Sequence, residues 1–147
     1  MPIRFIKVPV CCFFSVEYLY FCMNYAAFTA CVLLLRFLVE TFCRDGNRFV
    51  IPIVGGTCEG PQMKGIILPG GADYQLQDAE HGRTEVEAIY SIQTDDGVNI
   101  HIRNRGLIYT GTDENGNPQF YFRTSPQFEA PQDSKYAWLN NAIFVCQ

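Results

Sequence analysis

The stretch GGTCEGPQMKGIILPGGADYQ, from Gly55 to Gln75, decides how the chain folds. Its six glycines and two prolines suit either a loop that cradles phosphate or the corners of a folded sheet. A P-loop places four residues between two glycines and follows the second with Lys and Ser or Thr. Here three residues separate Gly56 from Gly60, and Pro61 comes next. A dinucleotide fingerprint places Gly-x-Gly-x-x-Gly at the start of a helix. Gly55 and Gly56 are instead adjacent, and Pro61 opens a strand-like run. The prolines also remove backbone donors that an anion-binding nest requires. Both nucleotide readings fail. The glycines mark corners and bulges, where strands turn sharply or approach closely.

The flanking sequence agrees with corners. Short β-like runs alternate with turns: Arg48–Val54 before the double glycine, KGIIL before Pro69-Gly70-Gly71, then ADYQLQ. In Glu85–Gln93 the residues Val86, Ala88, Tyr90 and Ile92 share one face, with Glu85, Glu87, Ser91 and Gln93 on the other. After the turn TDDG at 94–97, Ile100, Ile102 and Asn104 oppose His101, Arg103 and Arg105. TDENGNP at 112–118 makes another tight connection, and Tyr136–Cys146 reads as a long apolar strand. Short strands with Gly, Pro and Asn turns predict an all-β protein, its antiparallel sheet closed into a barrel or sandwich.

A chain of 147 residues is long enough to bury a sizeable core, and its net charge of −4 opposes a nucleic-acid partner. That average hides two unlike parts. Residues 1–43 carry Arg4, Lys7 and Arg36 against Glu17 and Glu40, whereas residues 44–147 are strongly acidic. We therefore divide the chain into a hydrophobic N-terminal extension, 1–43, and a β-barrel domain, 44–147. Five of the seven cysteines (Cys11, Cys12, Cys22, Cys31 and Cys43) lie in the extension. An odd count without metal-ligand spacing predicts reduced thiols in a cytoplasmic protein, and no metal.

Residues 18–35 carry no charge and just reach the length that spans a bilayer. A membrane anchor there is the less favoured reading, because Glu17, Asn24, Arg36 and Glu40 crowd or interrupt it. The alternative is a strand in Val16–Asn24, rich in β-forming aromatics, followed by a helix in Ala26–Phe42. Leu34, Leu35, Leu38 and Val39 recur there at helical spacing.

GGTCEGP, KGIILPGGADYQL, EVEAIYSIQTDDGVNIHIRNRG, FRTSPQFE and YAWLNNAIFV occur in an order that resembles domain-of-unknown-function family 3237. That family is also called uncharacterised protein family 0311. The resemblance spans roughly Gly46 to Val145. It implies an antiparallel β-barrel similar to allene oxide cyclase, enclosing a small cavity and often assembled as a homo-oligomer. It also implies chemistry of the kind assigned to fungal relatives, cofactor-free cyclisation of aromatic polyketides. The chain departs from the family pattern at Cys58, commonly an aromatic, and at Ile89, often an arginine. Relatives continue through one more strand beyond Gln147, which leaves open a barrel incomplete at its C-terminal strand.

Cyclising a poly-β-ketone requires a base, donors for the developing enolate and a cavity that folds the chain. Asp73 is the first candidate for the base, since it follows a glycine corner and shares a strand face with Gln75; the competing role is a turn-capping Asp. Glu87 is the second: among aromatics its pKa would rise toward neutrality, whereas beside Glu85 it would be a solvated surface group. Arg103 and Arg123 could bind an enolate, although arginine is more often at the surface. Tyr74, Tyr90 and Trp138 could wall a small hydrophobic or aromatic substrate, with Gln75 and Asn140 donating hydrogen bonds. As packing alone, Tyr90 and Trp138 need no further role. His81, His101 and Cys58 form no nucleophile signature. The alternative to an enzyme is a non-catalytic barrel that binds a small molecule or assembles with itself.

Overall fold

The structure is a computed structural model. It describes residues 46–146 continuously, and the backbone of four strands before them: β1 (Cys12–Phe14), β2 (Tyr18–Asn24), β3 (Thr29–Leu35) and β4 (Val39–Cys43). Six more strands follow: β5 (Gly46–Glu59), β6 (Lys64–Ile67), β7 (Gly71–Asp78), β8 (Arg83–Thr94), β9 (Asn99–Thr112) and β10 (Pro118–Glu129). They form one ten-stranded sheet in which neighbouring strands run antiparallel. The all-β antiparallel expectation holds.

The opening stretch is a corner. Strand β5 is long, and each of its edges is covered by two short strands. On one side β7 pairs with its first half, up to Ile53↔Gly71, and β6 with its second half, from Gly56↔Ile67. The partner strand breaks at Leu68–Gly70, opposite Val54 and Gly55. There the Gly70 N–H donates to the Ile53 carbonyl at 3.2 Å. On the other side, β4 takes the first half and β3 the second, with a register shift at Leu33/Leu34 that skips Val54, beside Gly55. Gly55 and Gly70 have φ of +154° and +106°, a region that side chains disfavour. Gly71 has a different reason to be glycine: a Cβ there would come within 2.7 Å of the Tyr90 Cβ.

Two expectations are corrected. The helix expected in Ala26–Phe42 is replaced by β3 and β4, whose ladders with β5 outweigh a helical spacing of leucines. Residues 18–35 accordingly contain two strands, paired from Tyr18↔Leu35 to Asn24↔Thr29. Among the described residues no helix is long and apolar enough to cross a membrane. At the other end, Tyr136–Cys146 is not one long strand. Ala137–Asn141 form a 3-10 helix, and only Cys146 regains sheet geometry. It exchanges two backbone hydrogen bonds with Thr124 of β10, at 2.8 and 3.0 Å. The helix is held by Asn140, whose amide donates to the Ala130 carbonyl at 2.8 Å and accepts the Ala130 N–H at 2.7 Å. Both hydrogen bonds are available only if the chain folds back instead of extending.

Alternation along β8 and β9 falls as the sequence predicts. Val86, Tyr90, Ile92, Ile100, Ile102 and Asn104 are buried, while Arg103 and Arg105 face solvent. The inner face is apolar at one end, where Ile53, Ile67, Ile92, Ile100, Ile102 and Phe128 meet Tyr136, Leu139 and Phe144 of the C-terminal segment. Phe128 and Phe144 pack edge to face at 5.0 Å. Each fully buried isoleucine here contributes about 1.5–3 kcal/mol.

Candidate functional site

Register arranges the inner face in rows that cross the sheet. The apolar row runs Ile53, Gly71, Tyr90, Ile102, Phe128. Geometry alone would continue that character one row further, because side chains repeat every second residue. The chain does otherwise. The next row runs Ile51, Asp73, Ala88, Asn104, Pro126, and the one beyond Phe49, Gln75, Val86, Gly106, Thr124. Polar side chains thus enter the interior at one level of the sheet, above a floor that includes Tyr90.

Asp73 is the centre of this level. It is 9% exposed. Its Oδ2 accepts a hydrogen bond from Gln75 Nε2 at 2.7 Å, and Gln77 Nε2 donates to Gln75 Oε1 in turn at 3.2 Å. Its Oδ1 is buried without a protein partner. Burial pushes the carboxyl pKa above the ordinary range, opposed by the Gln75 hydrogen bond and by one from the Glu87 backbone. A carboxylate so placed holds a proton more firmly than one in water, and one oxygen is available to take it. Asn104, 2% exposed, stands on the same face two strands away, with the small, partly buried Ala88 between them. The sequence reading did not count Asn104 as a site residue. The available signal was a polar side chain in phase with Ile100 and Ile102.

Several other candidates lie elsewhere. Glu87 pairs across from Tyr74, one position from Asp73 but on the outer face. Its Oε1 accepts from Arg105 Nε at 2.7 Å and from Arg103 Nε at 2.5 Å. Those arginines hold its pKa below the usual carboxylate value, opposite to the rise expected of a buried acid. Tyr74 is 43% exposed on that same face. Arg123 alternates with the buried Phe122 and Thr124, so it also points outward, donating to the Phe122 carbonyl and stacking over Tyr121 at 5.0 Å. Trp138 is 40% exposed on the 3-10 helix, against Phe144 at 6.0 Å, and Asn140 is engaged by the Ala130 backbone. Asp73, Gln75 and Tyr90 therefore share the inner face, and Glu87, Tyr74, Arg103 and Arg123 do not.

A surface depression of about 260 Å³ lies around Gly60–Lys64, Asp95, Asp96 and Tyr136. Asp96 is engaged there by Lys135 at 2.9 Å and by the Tyr136 hydroxyl at 2.9 Å. The hydrogen bond from Lys135, then those from Thr94 and Tyr136, hold its pKa well below the carboxylate range. It braces the β8–β9 turn against the C-terminal segment. Cys58 and Cys146 are buried; desolvation raises their thiols to about 11 and about 12, with Asp95 adding to the rise at Cys58. Neither is a nucleophile in that state.

Fold and interior together define a class: a barrel-like antiparallel sheet whose apolar inner face carries one level of buried polar groups. Residues 25–147 match the family described as protein of unknown function (DUF3237). A UPF0311 protein of Clostridium acetobutylicum is 39% identical over 111 residues, covering 69% of this chain and 68% of that protein. The chain belongs to this family. A crystal structure of a protein of unknown function from the same bacterium superposes with a TM-score of 0.70 at 34% identity, over 84% of this chain and 89% of that one. A β-barrel-like protein from Acinetobacter baumannii gives 0.65 at 28%, over 97% and 88%. An enzyme from Penicillium herquei gives 0.56 at 19%, over 99% and 98%, a likeness of fold.

Proposed function

We propose that the protein is a cofactor-free cyclase or isomerase acting on a small, polyketide-like molecule, with Asp73 as the general base. One observation carries this reading: a carboxylate nine-tenths buried, with Oδ2 held by Gln75 and Oδ1 facing no protein donor. An unsatisfied buried oxygen is costly to keep unless something else meets it. Burial also brings its proton affinity toward the range where a base works at neutral pH.

In this mechanism Oδ1 removes an acidic proton from between two carbonyls, or from an enol. Gln75 keeps the carboxylate from rotating away. The resulting enolate oxygen or carbon adds within the same molecule, and the proton returns to the product. Substrate and product are isomers, so no oxidant or reductant enters. Tyr90 supplies a planar floor under the reacting atoms. The partner implied is a small hydrophobic or aromatic substrate; the same reading places the protein in the cytoplasm as a homo-oligomer.

The test is product formation from a panel of poly-β-ketones and hydroxyaryl ketones, followed by chromatographic separation of the isomers and proton NMR. Asp73→Asn should abolish conversion while leaving binding in place. Wild-type turnover by that variant would overturn the assignment. If no panel member is converted but aromatic ligands still bind saturably, the protein is a binding barrel and not an enzyme.

A further inference from the structure

From the line Asp73, Gln75, Gln77 we infer that Gln77 is a positioning residue. Acting through Gln75, it holds Asp73 Oδ2 as an acceptor and so directs a proton taken by the carboxyl onto Oδ1. Its role rests on that proposed for Asp73, and it adds a third residue and the reacting atom to the same site.

Residues 73, 75 and 77 share the inner face of β7, where side chains follow one another at about 7 Å. Asp73 is buried and the two glutamines are half-buried, so the line climbs from the interior toward solvent. Its two hydrogen bonds run the same way. Gln77 Nε2 donates to Gln75 Oε1 at 3.2 Å, and Gln75 Nε2 donates to Asp73 Oδ2 at 2.7 Å. Each glutamine amide thus turns its donor toward the carboxylate, and each bond polarises the next. A carboxylate only accepts until it is protonated. The observed sense therefore matches the ionised form, with Oδ2 occupied.

The opposite sense would set Gln75 Oε1 against Oδ2, two acceptors in contact, unless Oδ2 itself carried the proton. Alone, Gln75 would reach that arrangement by turning its own amide over. With Gln77 bonded to it, both amides must turn together. That difference is what Gln77 contributes. It keeps the proton off the oxygen facing the ladder and leaves it for Oδ1, which is buried and meets no protein partner. In a reaction begun by Asp73, the proton then returns to the product from the atom that took it. The carboxyl has no rearrangement to make.

Beside Asp73 on the inner face, β5 offers Ile51 and Phe49 and β8 offers Ala88 and Val86, none of which titrates. Of the titratable residues, Tyr90 stands in the adjoining row and β4 carries Glu40 across from Phe49. Glu87, with its two arginines, lies on the other face. Substitution of Gln77 leaves all of these in place.

The test reads the protonated carboxyl of Asp73 by infrared difference spectroscopy, each protein against its own Asp73→Asn counterpart. The pH is set between the ordinary carboxylate range and the raised value of Asp73. In wild type the proton is on Oδ1 and the carbonyl is Oδ2, which accepts from Gln75, so the carbonyl stretch lies low. Gln77→Met removes the donor, and Gln77→Glu puts an acceptor in its place. In both, the proton should move to Oδ2, and the stretch of the unbonded Oδ1 carbonyl should lie higher. The pKa of Asp73, followed by NMR of its carboxyl carbon, should also rise in Gln77→Met, because its neutral form gains a hydrogen bond. An unshifted band in both variants would overturn the inference, whatever they do to stability. Neither readout needs turnover. If Asp73→Asn keeps wild-type turnover while Gln77→Met shifts the band, the base assignment fails and the ladder stands.

Discussion

Two carboxylates lie next to each other in the sheet and meet opposite fates. Asp73 faces inward across from Ala88; Glu87, one position along that partner strand, faces outward across from Tyr74. The interior raises the pKa of the first by desolvation, while Arg105 and Arg103 lower that of the second. Their backbones are adjacent, so the difference comes from side-chain phase alone. It shows that in a sheet of this kind the chemistry of an acid is decided by which way a single residue alternates.

The largest test of that contrast compares Ile102 with Arg103, consecutive residues on opposite faces of β9. Ile102 is fully buried in the apolar row, and Ile102→Ala should lower stability by about 2–5 kcal/mol through lost contacts and a cavity. Arg103→Ala should change it by less than about 1 kcal/mol, because its pairing with Glu87 is solvent-exposed. Urea titration of both variants checks the ratio. Comparable losses would mean that the two faces are not inside and outside.

Next in size is Asn140→Ala. The variant strips both partners from the Ala130 backbone, whose residue is 8% exposed, and should destabilise by about 1–3 kcal/mol. Restoring wild-type-like stability with Asn140→Asp would be unexpected, since a carboxylate accepts the N–H but cannot donate to the carbonyl. If Asp does rescue, the acceptor bond is the one that matters.

How far the sequence foretold these faces depends on the kind of signal. Alternation in β8 and β9 is strict, so the sequence separates Val86, Tyr90 and Ile92 from Glu87, and Ile100 and Ile102 from Arg103, but alternation alone does not say which face is inside. Asp73 and Gln75 were placed on a common face for the same reason. What alternation cannot give is the row across strands. That Asp73 lies level with Ala88 and Asn104 depends on register, which the β7–β8 and β8–β9 turns fix jointly. Trp138 and Asn140 show the complementary limit. Each has a residue type suited to binding, yet its direction is set by long-range packing of the C-terminal segment, for which no local period exists. The helical spacing in Ala26–Phe42 misleads for a related reason: pairing with β5 is non-local and overrides propensity.

Asp73→Asn should stabilise the protein by about 1 kcal/mol at neutral pH, because it replaces a buried charge with a neutral group of equal size. The sign follows from the raised pKa. Below the ordinary carboxylate range Asp73 is protonated in both folded and unfolded chains. Between that range and its raised folded value, the folded state holds a proton that the unfolded state has released, and stability falls as pH rises. The side chains beside it on the inner face, Ile51, Ala88, Phe49 and Val86, do not titrate. The variant should therefore show a flatter stability profile than wild type across that window. A profile that remains parallel to wild type would mean the burial of Asp73 has no energetic consequence.

The smallest effect is expected at Glu87→Gln, and it should carry the opposite sign. Glu87 has a folded pKa below its unfolded value, so its contribution is present above the ordinary carboxylate range and fades as pH falls through the lowered value. Its side chain is 28% exposed and its arginine partners are more exposed still, so the loss at neutral pH should stay under about 1 kcal/mol and shrink further in salt. At acidic pH the variant and wild type should converge. Catalysis, if Asp73 is the base, should be indifferent to Glu87→Gln, since that carboxylate lies behind the sheet from the reacting atoms. A Glu87→Gln variant that abolished turnover while keeping its fold would undo the separation of the two faces at its most sensitive point. Only a carboxylate in contact with the substrate could have that effect.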